Sequence, residues 1–315
     1  MSTMPAGRII AAMLVRARRV AGPLLALLLG GLGTAQAQQL EPRVYSPAPI
    51  GMNFVGLGGL YSSGSVLTDP SLPIANVRAR LYGVTPYYGR TFGLAGRVAS
   101  ATLVIPFGTG HVQGDVQEVS RSVDRSGLFD PQLRVGVNLV GCPAMKPREF
   151  MKRKPATTIG ASLTVSAPFG QYDPSKLINL GTNRWAYKPE LGLSKPVGDW
   201  VIEIYAGVWL FQANQDFYGG NVRTQDPLAS YQAHAVYNFR RDAWAAADFT
   251  YYDGGSTTVD GQAKNDRQAN SRGGLTVSVP CGKAQSLRLT WADGATTRIG
   301  SNFQTVGAGW QFRWF

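Results

Sequence analysis

From about position 50 to the C-terminus, apolar and polar residues alternate in strand-length segments. In "TTIGASLTVSAP", Ile159, Ala161, Leu163 and Val165 oppose Thr158, Gly160, Ser162, Thr164 and Ser166. In "WVIEIYAGVWLF", Ile202, Ile204, Ala206, Val208 and Leu210 oppose Glu203, Tyr205, Gly207 and Trp209. At the end of the chain, Val306, Ala308, Trp310, Phe312 and Trp314 oppose Thr305, Gly307, Gly309, Gln311 and Arg313. A period of two marks strands with two unlike faces. It predicts twelve of them, near 50–61, 77–90, 94–106, 129–141, 156–167, 186–195, 200–212, 228–239, 243–253, 270–280, 285–293 and 303–315.

The connections separate a soluble sandwich from a membrane barrel. Long polar stretches such as "SSGSVLTDPSLPIAN", "FGTGHVQGDVQEVSRSVDRSG", "FGQYDPSKLINLGTNRW", "ANQDFYGGNVRTQDP" and "GGSTTVDGQAKNDRQAN" alternate with tight links such as "KPVGDW", "FRRDAW" and "PCGKAQ". Outer-membrane barrels pair short periplasmic turns with long extracellular loops, whereas a sandwich has no reason to gather its long loops at one end. The polar faces are rich in small and hydroxyl residues, and only 16% of the chain is charged, against about 25–35% expected for a soluble surface. No stretch after the leader reaches the roughly 20 apolar residues of a spanning helix. The predicted fold is therefore all-β: an antiparallel transmembrane barrel of about twelve strands, with both ends in the periplasm. One link, "CPAMKPREFMKRKP", is long where a short turn belongs.

The first residues describe export. Arg8, Arg16, Arg18 and Arg19 precede the apolar run "VAGPLLALLLGGLG", and "AQA" ending at Ala37 offers small residues for cleavage. The expected division is a signal peptide over 1–37 and one barrel domain over 38–315, delivered to the outer membrane of a Gram-negative bacterium. Removing the four leader arginines, which no acid accompanies, takes the formal charge from +12 to +8. That excess is spread along the chain, not clustered beside aromatic platforms, and argues against nucleic acid as a partner.

Catalytic patterns are nearly absent: the chain has no CxxC, no HExxH and no phosphate-cradling loop, and only two histidines, His111 and His234. No enzyme activity, cofactor or metal site is expected. Acidic loop residues such as Asp130, Asp173 and Asp226 precede Pro or lie in turn sequences and read as turn formers, not calcium ligands. The distinctive chemistry is charge on the polar strand faces. Arg78, Arg80, Arg134, Lys188, Glu190, Glu203, His234, Asp248, Arg272, Arg288 and Arg313 are all expected in the lumen. Two readings of them stay open: mutual neutralisation in a lumen packed shut, or a charged constriction that orients a polar end of a permeant. Cys142 and Cys281 are expected on the periplasmic side.

Longer words in the sequence carry a resemblance. "SPAPIGMNF", "NLVGCPAM", "APFGQYDPSKLINLGTNRWAYKPELG", "GVWLFQANQDFYGG", "NSRGGLTVSVP" and "GATTRIGSNFQTVGAGWQFRW" make the chain resemble the phenol-degradation meta-pathway transporter family, from about Pro47 onward. Cys142 and Cys281 depart from the residues expected in those words. The resemblance implies an outer-membrane channel for passive uptake of small organic, including aromatic, compounds. Phe315 resembles the terminal aromatic by which barrel-assembly machinery recognises outer-membrane proteins. Outer-membrane lipid, small organic solutes and that machinery are the expected partners. The alternatives are a structural or adhesive barrel acting through its loops, which would not conduct, and an outer-membrane lipid-modifying enzyme, which would hydrolyse lipid.

Overall fold

A computed structural model describes residues 40–68, 74–116, 119–240 and 242–315; the leader expected over 1–37 lies outside the described residues. Twelve strands form the wall: β1 (Asn53–Leu67), β2 (Ile74–Leu94), β3 (Arg97–Val104), β6 (Gln132–Val140), β7 (Thr158–Ser166), β8 (Ala186–Val197), β9 (Trp200–Phe211), β12 (Leu228–Arg240), β13 (Ala243–Gly254), β16 (Gln268–Pro280), β17 (Gln285–Thr296) and β18 (Gly300–Trp314). Each neighbour pair is antiparallel, and β1 pairs with both β18 and β2, so the sheet closes on itself. Closure removes every edge, which a sheet in lipid requires. All twelve wall strands fall on the predicted segments. The tight link between β2 and β3 is turned by Ala95 (φ 48°) and Gly96 (φ 74°), both left-handed as a two-residue hairpin demands.

The loop readings need correction. The stretch from Phe107 to Leu128, expected as an irregular connection, is a hairpin of β4 (Phe107–Val116) and β5 (Val119–Leu128). β4 pairs with the outer part of β2, from Ile74 to Val84, so β3 and β4 run in series along one strand. The break between them falls at Pro106, which has no N–H to give the ladder. On the opposite side of the outer mouth, β10 (Asn214–Phe217), β11 (Asn221–Gln225), β14 (Thr257–Val259) and β15 (Gln262–Ala263) form a four-stranded sheet above the barrel. At the rim beneath it, Arg184 donates to the Gln225 side chain and stacks 4.5 Å from the Phe211 ring centroid. Burial and the neighbouring Arg223 push the Arg184 guanidinium down to about 9.

The outward faces are the lipid belt. Ile204, Leu191, Leu275, Leu289 and Val306 are exposed there, and aromatic residues gather toward the periplasmic end, where Trp200 meets Tyr237 at 5.0 Å and Trp314 meets Phe312 at 5.6 Å and Tyr88 at 6.3 Å between ring centroids. Such residues favour the membrane–water interface. Inside the outer mouth, Ile178 from the β7–β8 loop packs with Val66, Val77, Ala79, Leu81, Val112 and Phe303. That cluster decides the facing of outer β2. Val77, Ala79 and Leu81 point inward, so Arg78 and Arg80 are exposed on the outer surface, contrary to the expectation from the sequence. This part of β2 pairs with β4 in the extension of the wall, where the inside needs apolar groups and the outside can carry charge.

Candidate functional site

The lumen is not an empty cylinder. Residues Leu40–Met52, which precede β1, run inside it and are held at many points along the wall. At the periplasmic rim Thr91 accepts from Gly51 N (2.9 Å), and its hydroxyl donates to Pro49 O (2.6 Å). The long β6–β7 link forms a floor beneath, with Ile50 N donating to Met145 O (2.9 Å) and Ala144 N to Gly96 O (3.0 Å). It holds one turn of helix, α1 (Pro147–Phe150). Its unusual length is thereby explained: it supports the inserted segment. Cys142 is buried at its start, Cys281 is exposed in the β16–β17 turn, and both are free.

Deeper in, Tyr45 is the wedge. Its ring stands edge-on to Tyr205, with centroids 5.0 Å apart, and its hydroxyl lies 3.0 Å from Ser162 Oγ and 3.2 Å from Glu190 Oε1. Gly160 on β7 and Gly192 on β8 flank it, and a methyl group on either would overlap the ring. Both glycines serve a close approach, one recognised reason for glycine inside a strand.

Around Tyr45 the wall charges are matched in pairs. Arg134 on β6 reaches Glu41 (2.9 Å) on the inserted segment and Glu190 (2.6 Å) on β8; Lys188 reaches Glu190 (3.1 Å) and Glu41 (3.7 Å). Burial opposes ionisation of Glu41, but Lys188 and Arg134 outweigh it and hold the carboxyl below its ordinary range. Glu203 accepts from the Arg43 backbone N–H (2.7 Å) and Ser194 Oγ (2.9 Å). His234 Nδ1 and Asp248 Oδ1 are 2.6 Å apart, and Thr276 donates to the other Asp248 oxygen at 2.7 Å. His234 Nε2 is buried with no hydrogen-bond partner among the described residues. A buried ion pair contributes little net stability, yet losing one partner of it costs about 3–5 kcal/mol.

Toward the periplasmic mouth the pattern changes. Trp244 on β13 lies beside two guanidiniums, Arg43 of the inserted segment and Arg288 of β17, each 5.4 Å from an indole ring centroid. Stacking of this kind is worth about 0.5–2 kcal/mol and leaves the charge in place. Arg313 reaches Asp242 at 3.1 Å; nearer the outer mouth, Arg272 donates to Phe303 O and Thr305 Oγ1 at 3.0 and 3.1 Å. These residues border a cavity of about 1340 Å³ that extends from the inserted segment past Phe54, Leu60 and Tyr87 to Leu81 and Phe303.

Nine of the eleven candidate residues therefore lie in the lumen: Arg134, Lys188, Glu190, Glu203, His234, Asp248, Arg272, Arg288 and Arg313. Arg78 and Arg80 do not. Glu41, Arg43 and Tyr45 were missed, because "EPRVYSPAP" has neither strand period nor length. A signal was present: three prolines bar the segment from the ladder, while Gly160 and Gly192 at inward positions of neighbouring strands mark a close approach by something else. His111, expected in a loop, lies on β4 and contacts Asp124 across the hairpin at 2.8 Å. Among the described residues no cluster of three His, Cys, Asp or Glu could hold a metal ion.

Residues 70–312 match the family described as the MetA-pathway of phenol degradation. Among solved structures, the crystal structure of the COG4313 outer membrane channel from Pseudomonas putida F1 aligns over 88% of this chain and 100% of its own, with a TM-score of 0.74 at 18% identity. That likeness confirms the fold. The beta domain of the Bordetella autotransporter BrkA (TM-score 0.47, 12% identity, 84% of this chain and 100% of that one) and the TodX monoaromatic hydrocarbon channel deltaS2 mutant (0.44, 11%, 87% and 92%) are more distant barrels. No curated protein matches the sequence.

Proposed function

We propose that this chain, which belongs to the MetA-pathway of phenol degradation family, is an outer-membrane channel for passive uptake of small organic compounds, with the inserted segment Leu40–Met52 setting what passes. The observation that carries the reading is the lumen itself. The wall around Glu41 and Tyr45 is neutralised group by group, while a mixed apolar and cationic cavity remains beside them. A purely structural barrel would gain nothing from a lumen that keeps such a cavity. The lipid-enzyme alternative fares worse, because His234 is oriented by Asp248 but no hydroxyl meets its Nε2 among the described residues, and nucleophilic catalysis needs that contact.

The leader reading fits this function, since export to the outer membrane requires a signal, and the exposure of Phe315 supports the proposal that assembly machinery recognises it. The test is uptake by proteoliposomes whose outer leaflet is lipopolysaccharide, which slows free diffusion of apolar solutes. Purified protein should accelerate uptake of labelled phenol and benzoate well above protein-free vesicles and leave sucrose excluded. Equal rates with and without protein would refute the channel; rapid sucrose passage would make it an unselective pore.

A further inference from the structure

The two arginines beside Trp244 differ from the other cations of the lumen. Arg134, Lys188 and Arg313 each have a carboxylate within 4 Å. Arg288 makes no hydrogen bond or salt bridge among the described residues; beyond its contact with the indole, it meets Tyr87 and Asp248 only through longer-range electrostatics. Arg43 spends Nε on Ser46 (3.2 Å) and Nη1 on Asn238 (2.8 Å), and its Nη2 has no hydrogen bond among the described residues. The acids of this region are engaged elsewhere: Glu203 by the Arg43 backbone and Ser194, Asp248 by His234 and Thr276, Asp242 by Arg313. Arg43 also holds φ 68°, a conformation uncommon for a non-glycine residue and a mark of functional sites when the surroundings enforce it.

From this geometry we infer that Arg43 and Arg288 form a binding site for the carboxylate of a small aromatic acid. Both border the cavity, so an anion in it can reach them. Two like charges beside one indole repel, and a shared carboxylate removes that repulsion while accepting from both planar forks. The class of acid follows from the adjoining wall. Trp244, Tyr87 and Phe54 border the same cavity, with the Phe54 and Tyr87 rings 6.4 Å apart and the Tyr87 hydroxyl already donated to Gln311 at 3.2 Å. They offer an aromatic body ring faces and edges. Because Arg43 belongs to the inserted segment and Arg288 to the wall, the acid bridges the two and holds the segment in place.

The inference rests on the channel reading only for the acid's being cargo; the site itself is tested by binding. Full-length purified protein in detergent is titrated calorimetrically with sodium benzoate and, separately, with neutral benzyl alcohol. Benzoate should bind saturably and at least tenfold more tightly than benzyl alcohol, with an affinity that falls as sodium chloride is added. Arg288→Gln should weaken benzoate at least tenfold and leave benzyl alcohol unchanged, with folding verified by circular dichroism melting. Arg43→Gln, which lies outside the barrel wall and so leaves its assembly intact, should do the same. Equal affinity of the two ligands for the wild type, or wild-type benzoate affinity in Arg43→Gln, overturns the site. Benzoate binding without solute uptake would refute the channel and leave the site standing; uptake without benzoate preference would do the reverse.

Discussion

Glu190 illustrates how much the lumen depends on single groups. Its side chain has no solvent exposure, and it neutralises both Arg134 and Lys188 while receiving the Tyr45 hydroxyl. Glu190→Gln would leave two buried cations facing Glu41 alone, so the barrel should lose about 3 kcal/mol of unfolding free energy. Urea titration of the heat-modifiable folded band checks this, and an unchanged midpoint would show that water in the lumen already screens the cluster. Gly160→Val acts on the same place from the other side. Its branched side chain would take the volume of the Tyr45 ring and expel the wedge, and single-channel conductance should rise several-fold while the strand, which favours valine, stays intact.

At the scale of elements, the wall strands were legible because lipid on one side and a wet lumen on the other write a period of two into each of them. β4 and β5 were not, because above the membrane the outside is also polar. "VSRSVDRSGL" therefore has too little contrast to stand out from a loop. The same loss of contrast misassigned Arg78 and Arg80: polarity meant lumen only where the other face met lipid. The sheet of β10, β11, β14 and β15 was hidden by strands of two to five residues. Two expected outcomes separate these zones. Val306→Arg, on the lipid face of β18, should destabilise the barrel by about 2–4 kcal/mol if it lies near the bilayer midplane. The pair Arg78→Gln and Arg80→Gln should leave both stability and the reversal potential of the channel unchanged, whereas Arg288→Gln should move that potential toward cations. A shift from the Arg78 and Arg80 pair would return those residues to the lumen.

For the whole molecule, the barrel supplies a frame, the long β6–β7 link a floor, and, in the proposed channel, Leu40–Met52 the part that sets passage, which a closed sheet cannot provide from its own strands. The segment is held by hydrogen bonds and ion pairs, not by a continuous apolar core, so it can be loosened without unfolding the wall. The most direct test is the rate of benzoate uptake into lipopolysaccharide-faced proteoliposomes by the wild type and by Tyr45→Ala, compared at equal amounts of folded protein. Removing the wedge should raise the rate several-fold above a wild-type rate that already exceeds protein-free vesicles. An unchanged rate in Tyr45→Ala would contradict the account, because passage would then be limited somewhere other than at the inserted segment.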